Sequence, residues 1–344
     1  MKLLSALSLF ISCCLFATAQ TAPTPAHGDA NDRPTTGPCV LFFNHADGGL
    51  YWITLDGKGP FPLQGNNIIQ RAPALSPDGK SLAFAFHPQH LTDPFDPHDA
   101  AVEIGVQEIG SNRFRRLTDN DTRDYSPAWS SDGRWVIFAH DSPSVEVGQF
   151  HANDRDLVGA AADGTTATIN VTHWVKSDPF EINDSPSWSR QPKTNLIVFT
   201  KISPTHMSAS LWLMRPNGTR QRNIDLTIYG LIEVRDPIFG TDDRSLIFAG
   251  RKAGTGPLEQ FGLEPFDIYR CTLDGRNLQR LTDRGGAQCS KPCLSPDGTT
   301  LVFVEAREKS LRLMQMVGVE TTPHYLTPNN FLATDPCFSP RPLP

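Results

Sequence analysis

One motif recurs along the whole chain and constrains the fold more than any other feature. Its clearest copy is SPAWSSDGRWVIFA at residues 126–139, where a proline and a tryptophan precede a tight-turn sequence and a short apolar run. Related copies begin at residues 72, 185, 236 and 291, and a shortened one, DPCFSP, begins at 335. The motif prolines are 44 to 59 residues apart, and a period of this size is typical of solenoids and propellers.

Each full repeat predicts four short strands. The SPDG sequence, as at 76–79, favours a hairpin turn because proline presets φ, aspartate bonds to its own backbone, and glycine accepts positive φ. A third strand follows, as in DIYRCTLDG (267–275), and then a fourth, as in LQRLTD (278–283). No long stretch has apolar residues at helical spacing, so we expect an all-β chain in which four antiparallel strands form one propeller blade.

The two ends of the chain complement each other. The last repeat has only a first strand, at 335–339, whereas CVLFFN (39–44), LYWITLDG (50–57) and FPL (61–63) match strands two to four of a repeat. Pairing them completes a sixth blade and removes two exposed sheet edges. We therefore predict a six-bladed β-propeller with four-stranded antiparallel blades, closed by N-terminal strands that pair with the C-terminal strand.

The repeats resemble the TolB-type, WD40-like propeller repeat, in which a proline, an aromatic residue and SPDG precede a short apolar strand. The resemblance covers nearly all of residues 39–340, with departures at the turns SRQPKT (189–194) and GTDDRS (240–245). It implies the fold, because the motif residues are structural in that family. TolB itself is a periplasmic protein that binds partner proteins, and similar propellers form the body of oligogalacturonate lyases.

The N-terminal region indicates export. Residues 1–19 have one lysine, an apolar stretch and a small-x-small end at Ala17-Thr18-Ala19, a pattern typical of a cleaved signal peptide and too short for a membrane span. Residues 20–38 lack apolar periodicity, which predicts a disordered leader. Residues 39–344 are then a single propeller domain. We expect a secreted or periplasmic protein with no membrane span.

Export allows cysteines to pair and asparagines to be glycosylated. Five cysteines follow the signal region, so at least one is a free thiol or bonds to another molecule. If the blades superpose, Cys39 and Cys337 lie close to cross-strand, and we expect either a disulfide or two buried thiols there; Cys289 and Cys293 are the next candidates. Sequons at Asn120, Asn170 and Asn217 are compatible with a glycoprotein.

Three long connections should lie on one face of the propeller. They span residues 87–101, 140–153 and 251–265, and loops of this length in a compact fold are commonly functional. Their histidines and carboxylates predict a ligand site, with three of the histidines able to bind a divalent metal; the alternative is a solvated polar loop. The candidates are His87, His90, His98, His140 and Asp141, of which His87, His90 and His140 form the metal candidate.

Charged residues also precede the motif prolines, where side chains should line the central channel. Mixed charge at this place could orient an anionic or zwitterionic ligand, or the residues could bond to one another and to trapped water. The candidates are Arg71, Asp184, Arg235, Asp236, Lys291 and Asp335.

The remaining signals bear on functional class. The net charge is −6 and no Lys/Arg run exceeds two residues, which disfavours nucleic acid and anionic membranes as partners. The sequence has no G-x-S-x-G, H-E-x-x-H or P-loop motif. We therefore expect a monomeric, non-catalytic binding module without a cofactor that engages a protein, peptide or glycan. The alternative is a metal-assisted polysaccharide lyase or hydrolase.

Overall fold

The computed structural model describes residues 34, 36–63, 70–87, 101–111, 113–142, 145–147, 150–152, 154–172, 181–203, 208–252, 265–308, 310–318 and 322–343. Within these ranges the chain forms 26 β-strands and a single 3-10 turn, Thr227–Tyr229. This confirms the predicted all-β class. None of the described segments is a helix long and apolar enough to span a membrane.

Strands are numbered in chain order, and three of the sheets have four strands each. The first combines both ends of the chain: β26 (Ala333–Ser339), β1 (Cys39–Asn44), β2 (Gly49–Thr54) and β3 (Phe61–Pro62). The second contains β4 (Gln70–Leu75), β5 (Ser81–Phe86), β6 (Glu103–Glu108) and β7 (Phe114–Arg116). The third contains β22 (Gln288–Leu294), β23 (Thr300–Arg307), β24 (Ser310–Val317) and β25 (His324–Tyr325).

A twelve-stranded sheet lies between the second and third of these in sequence. Its strands are β8 (Asp124–Trp129), β9 (Trp135–Asp141), β12 (Arg155–Ala161), β13 (Ile169–Asn170), β14 (Ile182–Trp188), β15 (Ile197–Ser203), β16 (Ser208–Met214), β17 (Arg222–Ile224), β18 (Leu231–Phe239), β19 (Ser245–Lys252), β20 (Asp267–Thr272) and β21 (Gln279–Arg280). Two of its junctions are parallel contacts of one residue pair each, Arg155 with Ile182 and Ala209 with Glu233. A separate hairpin pairs β10 (Val145–Val147) with β11 (Phe150–Ala152).

The SPDG hairpins form as their residue types predict. In the turn after β4, the Ser76 N–H donates to the Ser81 carbonyl and the Gly79 N–H donates to the Ser76 carbonyl, both at 2.8 Å. The Asp78 carboxylate accepts the Ser76 hydroxyl at 2.6 Å. Gly79 has a φ of 66°, a conformation that glycine adopts without a side-chain penalty.

Six apolar clusters of the described residues fill the spaces between consecutive groups of strands. One brings Trp52 of β2 against Phe84 of β5, and another brings Val302 of β23 against Phe42 of β1. The second cluster joins late strands to the first strand of the chain. In five repeats the second strand has a fully buried phenylalanine: Phe84, Phe138, Phe199, Phe248 and Phe303.

The first and last strands of the chain are hydrogen-bonded neighbours. β1 pairs antiparallel with β26, in a register that places Cys39 opposite Ser339 and Leu41 opposite Cys337. β1 is fully buried along its length, which suits a strand with neighbours on both sides.

The described residues contain no disulfide between Cys39 and Cys337, so the predicted bond stays a prediction. The two cysteines are offset by two residues across the strand pair, and both are free thiols. The Cys39 thiol donates to the Arg341 carbonyl at 3.3 Å, whereas the Cys337 sulfur accepts the Leu75 N–H at 3.2 Å.

Candidate functional site

The strand registers bring one end of every repeat to a common edge. In the second sheet, Gln70 at the start of β4 pairs with Phe86 at the end of β5, and Phe86 pairs with Glu103 at the start of β6. In the next repeat, Asp124 at the start of β8 likewise pairs with His140 near the end of β9. The connections predicted to be long therefore leave from the edge at which the motif strands begin. We call this side the loop edge.

The residue before each motif proline has a left-handed backbone conformation. At all six positions φ lies between 47° and 53°, a region that residues other than glycine seldom occupy. The pairing register shifts at each of these places, because proline has no N–H to offer the ladder and the strand bulges. We call these six residues the axial ring; they are Ala72, Ser126, Ser185, Asp236, Lys291 and Asp335.

Side chains at and beside the axial ring join repeats that are distant in sequence. The Ser126 hydroxyl donates to Asp184 Oδ1 at 3.1 Å, and the Ser185 hydroxyl donates to Asp236 Oδ1 at 3.1 Å. Lys291 Nζ then lies 3.3 Å from Asp236 Oδ1. The bulges at Ser126 and Ser185 therefore direct a hydroxyl toward the next repeat, and Lys291 reaches carboxylates of both neighbouring repeats.

Lys291 is shared between two carboxylates. Its Nζ lies 3.8 Å from Asp335 Oδ1 in addition to its contact with Asp236. The nearby Asp236 carboxylate raises the pKa of Lys291. Burial acts to raise the pKa of Asp236, but attraction to Lys291 and Arg235 outweighs it, so the pKa is lowered. Both groups are thus held in their charged forms at neutral pH.

Arg155 neutralises two further candidates at the loop edge. Its Nε lies 2.6 Å from Asp141 Oδ1, and its Nη1 donates to Asp184. The guanidinium also stacks on the Tyr125 ring, 4.6 Å from the ring centroid. Burial acts to lower the pKa of Arg155, yet Asp184 and Asp141 raise it overall. Asp141 and Asp184 therefore act here as partners of one buried cation.

His140 forms a pair with a buried carboxylate. Its Nδ1 lies 2.7 Å from Asp124 Oδ1, and Asp124 Oδ2 accepts the Asn120 side-chain amide at 3.0 Å. The hydrogen bond to Asp124 raises the pKa of His140 above its ordinary value. Asp124 fixes the orientation of the imidazole, because Nδ1 is the nitrogen that donates to it.

A cavity of about 170 Å³ adjoins the axial ring at the loop edge. Arg71 and His87 contribute to its wall from the first repeat, and Asp335 contributes from the last. Tyr125 and Ser126 supply the wall from the following repeat. The cavity thus brings together residues from both ends of the chain and unites three of the predicted site residues.

Further charged residues at this edge were not predicted from the sequence. Lys201 Nζ lies 2.7 Å from Glu181 Oε1 and 4.2 Å from the centroid of the Trp212 ring. Arg251 pairs with Glu233. An alignment of the repeats could have predicted these residues. It places them at strand ends on the loop edge.

Arg235, a predicted site residue, stacks closely on an aromatic ring. Its guanidinium carbon lies 3.9 Å from the centroid of Phe266, and Arg251 approaches the same ring at 4.8 Å. Arg235 Nε is also 3.9 Å from Asp236 Oδ2. This places Arg235 among the charges that surround the axial ring.

At the opposite edge, Arg190 connects repeats that are not consecutive. It follows β14, and its Nη2 donates to the Leu294 carbonyl at the end of β22 at 2.9 Å. Its backbone N–H donates to Asp243 Oδ1 at 2.8 Å. Arg190 therefore spans the side of the molecule away from the loop edge, in the repeat whose turn departs from SPDG.

The predicted site residues divide into three groups. Arg71, His87 and Asp335 line the cavity, whereas Asp141, Asp184, Arg235, Asp236 and Lys291 take part in the charge pairs around it. His140 is oriented by Asp124. His90 and His98 lie outside the described residues. The ligand-binding role of all these residues stays a prediction.

One of the three predicted metal ligands, His90, lies outside the described residues. The other two, His87 and His140, are described. In the described ranges no group of three or more His, Cys, Asp or Glu side chains is arranged to hold a metal ion.

Sequence comparisons and structural comparisons give different results for this chain. No protein-family model matches the sequence, and no curated protein matches it. TolB from Acinetobacter baumannii has a similar structure, with a TM-score of 0.64 and 14% identity over 89% of this chain and 67% of that one.

Two further structures extend the comparison. A TolB candidate from Agrobacterium tumefaciens gives a TM-score of 0.56 at 15% identity, covering 86% of this chain and 90% of that one. An oligogalacturonate lyase in complex with manganese gives 0.53 at 14% identity, covering 80% and 69%. At such low sequence identities, structural similarity indicates the fold alone. The chain therefore has the TolB-like β-propeller fold that its repeats predicted.

Proposed function

We propose that this protein is a secreted or periplasmic binding module whose loop edge engages a protein, peptide or glycan without catalysis. The observation that carries the proposal is the pairing of charges at and beside the axial ring. Lys291 is held by Asp236 and Asp335, and Arg155 is held by Asp141 and Asp184. These charge pairs lie at the edge where the described strands on either side of the three long connections, 87–101, 140–153 and 251–265, begin or end.

The directions of the pKa shifts favour binding over acid–base catalysis. A general acid or base works best with a pKa near the operating pH. At the axial ring the pKa of Asp236 is lowered and that of Lys291 is raised. Both pKa values are shifted away from neutral pH, as expected for a permanent ion pair.

We infer that the propeller has six blades and is closed by its terminal strands. The twelve-stranded sheet divides into three groups of four at its two single-pair parallel junctions. Three further sheets have four strands each, and six apolar clusters separate consecutive groups. The antiparallel pairing of β1 with β26 supports the closure.

Testing the binding proposal requires defined probes and a matched control. We would screen arrays of immobilised peptides and of glycans with the purified protein, and repeat the screen after replacing residues 88–100 with a short Gly-Ser linker. Val317→Ser, at an exposed position where β24 ends on the opposite edge, is the control. We expect a bound probe that the linker variant loses and the control keeps. No bound probe, or equal binding by both variants, would contradict the proposal.

The orientation of His140 supports a second candidate, a metal-assisted polysaccharide lyase or hydrolase. Metal-binding histidines usually donate their other ring N–H to a carboxylate, and Asp124 accepts from Nδ1 of His140 in this way. Nε2 is then the nitrogen that would hold the ion, together with His87 and His90. A bound divalent metal would supply Lewis-acid assistance to cleavage.

Metal content and activity distinguish the two candidates. For a binding module we expect elemental analysis of the purified protein to give no stoichiometric Mn, Zn or Ca, and polygalacturonate to stay intact with added Mn²⁺. If instead one metal per chain is found, is lost in His140→Gln, and accompanies depolymerisation, the second candidate replaces the first.

Export and modification are part of the proposal. We infer cleavage of the signal peptide after Ala19, which intact-mass measurement of the exported protein would test. Asn217 is exposed at a turn, whereas Asn170 donates its side-chain amide to Asp156. In a secretory host that glycosylates asparagine, we therefore expect modification at Asn217 ahead of Asn170. We expect a monomer by light scattering.

A further inference from the structure

A second cavity lies at the edge opposite the loop edge, between the strands of two consecutive repeats. Its volume is about 180 Å³. One wall comes from β19 and β20, and the other comes from β22, β23 and β24. The turn residues Gly240, Gly298 and Gly318 also line the cavity, and they have no side chains to fill it. A cavity of about 150 Å³ is large enough for benzene, so this one has room for a ligand of similar size.

The turn GTDDRS (240–245), which departs from SPDG, explains why a hydroxyl lies at this cavity. In the SPDG turns the first serine accepts a backbone N–H from the residue five positions later, as Ser76 does from Ser81 at 2.9 Å. Gly240 replaces that serine, and a Cβ at Gly240 would lie only 2.4 Å from Ser245 Oγ. The glycine therefore makes room for the Ser245 hydroxyl beside the cavity.

The hydroxyl of Ser245 is buried without a protein partner. Ser245 is only 6% exposed, and its Oγ forms no hydrogen bond with any of the described residues. Buried hydroxyls are usually hydrogen-bonded, because an unsatisfied one has lost its bonds to water and gained none in return. A ligand that offers a hydrogen-bond acceptor in the adjoining cavity would satisfy this group.

A guanidinium lines the same cavity. Arg270 pairs with Ile247 across β20 and β19, and Ser245 lies two residues before Ile247. Arg270 and Ser245 are therefore diagonal neighbours on one face of the sheet, with Cα atoms about 7–8 Å apart. Within the part of the chain that the structure describes, Arg270 forms no ion pair with a carboxylate. A half-buried cation and a buried hydroxyl donor thus lie close together at the cavity.

The rest of the cavity wall is largely apolar. Ile247, Leu294, Leu301 and Met316 belong to the apolar cluster between these two repeats, and Leu281 packs against it. A ligand that fits this wall must carry an apolar body as well as an anionic group. A single guanidinium balances one negative charge, which favours a monocarboxylate over a doubly charged phosphate ester.

We propose that this cavity binds a small monocarboxylate whose apolar body is about the size of one aromatic ring. Arg270 holds the carboxylate, and Ser245 donates its hydroxyl to the same group. Arginine and carboxylate are well matched for this, because they can form two parallel charge-assisted hydrogen bonds. The site lies opposite the loop edge, so the inference goes beyond the proposed binding function and does not depend on it.

Benzoate is the probe for this site, and benzyl alcohol is its neutral counterpart of similar size. We would titrate each into the full chain and follow binding by calorimetry and by ligand-observed NMR. We expect benzoate to bind saturably at a single site. Benzyl alcohol should bind about tenfold more weakly, because it cannot form charge-assisted hydrogen bonds with Arg270.

Variants of the two polar residues test their roles. Arg270→Met keeps an unbranched apolar side chain, so it should weaken benzoate binding about tenfold and leave the binding of benzyl alcohol unchanged. Ser245→Ala removes an oxygen that has no protein partner, so it should stay folded and bind benzoate about threefold more weakly. Arg244→Met is the control, since Arg244 is exposed on the same turn outside the cavity, and it should bind benzoate as the wild type does.

The variant in which a linker replaces residues 88–100 should also keep benzoate binding, which separates this site from the loop edge. If Arg270→Met fails to fold, Ser245→Ala and the comparison with benzyl alcohol decide. The proposal would be overturned if benzoate showed no saturable binding up to about 20 mM, a range that covers small ligands of low efficiency. Equal binding of benzoate and benzyl alcohol, unchanged benzoate affinity in Arg270→Met and Ser245→Ala, or loss of binding in Arg244→Met would also overturn it.

Discussion

At the scale of single residues, burial and charge pairing decide what the candidate site can do. Asp236 and Lys291 illustrate this, because each would be costly to bury alone and each lies within 3.3 Å of the other. Arg155 forms ion pairs of the same kind with Asp184 and Asp141. Residues that could have been read as a reactive cluster thus hold neighbouring repeats in position.

Replacing Lys291 with methionine tests this role. Lys291→Met leaves the Asp236 carboxylate buried without its main partner, so we expect the free energy of unfolding at pH 7 to fall by about 3 kcal/mol. Urea denaturation measures the change. Lys58→Met is the control, since Lys58 forms an exposed pair with Asp56, and it should change stability by at most about 0.5 kcal/mol.

The same variant should have a distinctive pH dependence. The lowered pKa of Asp236 means that its contribution to stability is present above its ordinary pKa and is lost as the pH falls through the folded value. In Lys291→Met, burial favours the neutral form of Asp236. The loss of stability relative to wild type should therefore become smaller as the pH falls. A deficit that stays constant with pH would indicate lost packing in place of lost charge pairing.

The pH dependence expected for His140 is the reverse of that expected for Asp236. Its raised pKa means that the stability it contributes is fully present below its ordinary pKa of 6.5 and is lost as the pH rises through the folded value. His140→Gln should therefore be most destabilising at mildly acidic pH and least so at alkaline pH, as measured by denaturation across that range. His324→Gln, at an exposed position, should show no such trend.

At the scale of elements, each motif strand carries a bulge that the turn motif alone does not reveal. The positive φ before every motif proline costs conformational energy at non-glycine residues. The bulge turns side chains such as Ser126 and Ser185 toward the next repeat, where their hydroxyls find carboxylates. The repeated strain is therefore offset by contacts between repeats.

Ala72 isolates the cost of this backbone conformation because it makes no polar side-chain contact. With φ at 47°, Ala72→Gly should leave stability within about 0.5 kcal/mol, whereas the β-branched Ala72→Val should destabilise by about 2 kcal/mol. Ala74→Val, on the same strand without positive φ, should cost less than Ala72→Val in chemical denaturation. Equal costs at the two positions would point to crowding and not to backbone strain.

At the scale of the whole molecule, the two ends of the chain are built into one sheet. Phe338 of β26 packs in the cluster that also contains Phe42 of β1 and Val302 of β23. β26 therefore supplies a backbone partner for β1 and apolar contacts to the preceding sheet. We therefore expect the loss of β26 to destabilise the molecule far from the C-terminus.

Truncation after Leu332 removes β26 and tests this dependence. We expect the truncated chain to lose cooperative thermal unfolding and to associate, because β1 becomes an exposed apolar edge. Circular dichroism and light scattering measure both effects. Phe338→Ala is the control; it keeps the strand and should stay folded and monomeric, with a cost of about 3 kcal/mol. A truncated chain that unfolds cooperatively at the wild-type Tm would contradict the expected role of β26.

Much of the fold was predictable because turn chemistry and strand alternation are local properties. The apolar run that follows each motif turn was expected to form a strand, and its members Phe138 and Phe248 are fully buried. The two-residue offset between Cys39 and Cys337 was not predictable, because the pairing register of β1 with β26 depends on contacts between the two ends of the chain. Glu181 and Lys201 were missed because no motif marks them, although they meet at 2.7 Å.

By itself, the sequence determined that the chain is an all-β array of similar units, since proline, SPDG and alternating apolar residues act through near neighbours. Only the tertiary structure decided which charges neutralise one another, as Arg155 does for Asp184 and Lys291 does for Asp236. Such pairs join residues from different repeats, and their partners depend on strand register and on the bulges at the axial ring. These are properties of the assembled sheets, because no single repeat contains both members of the contact.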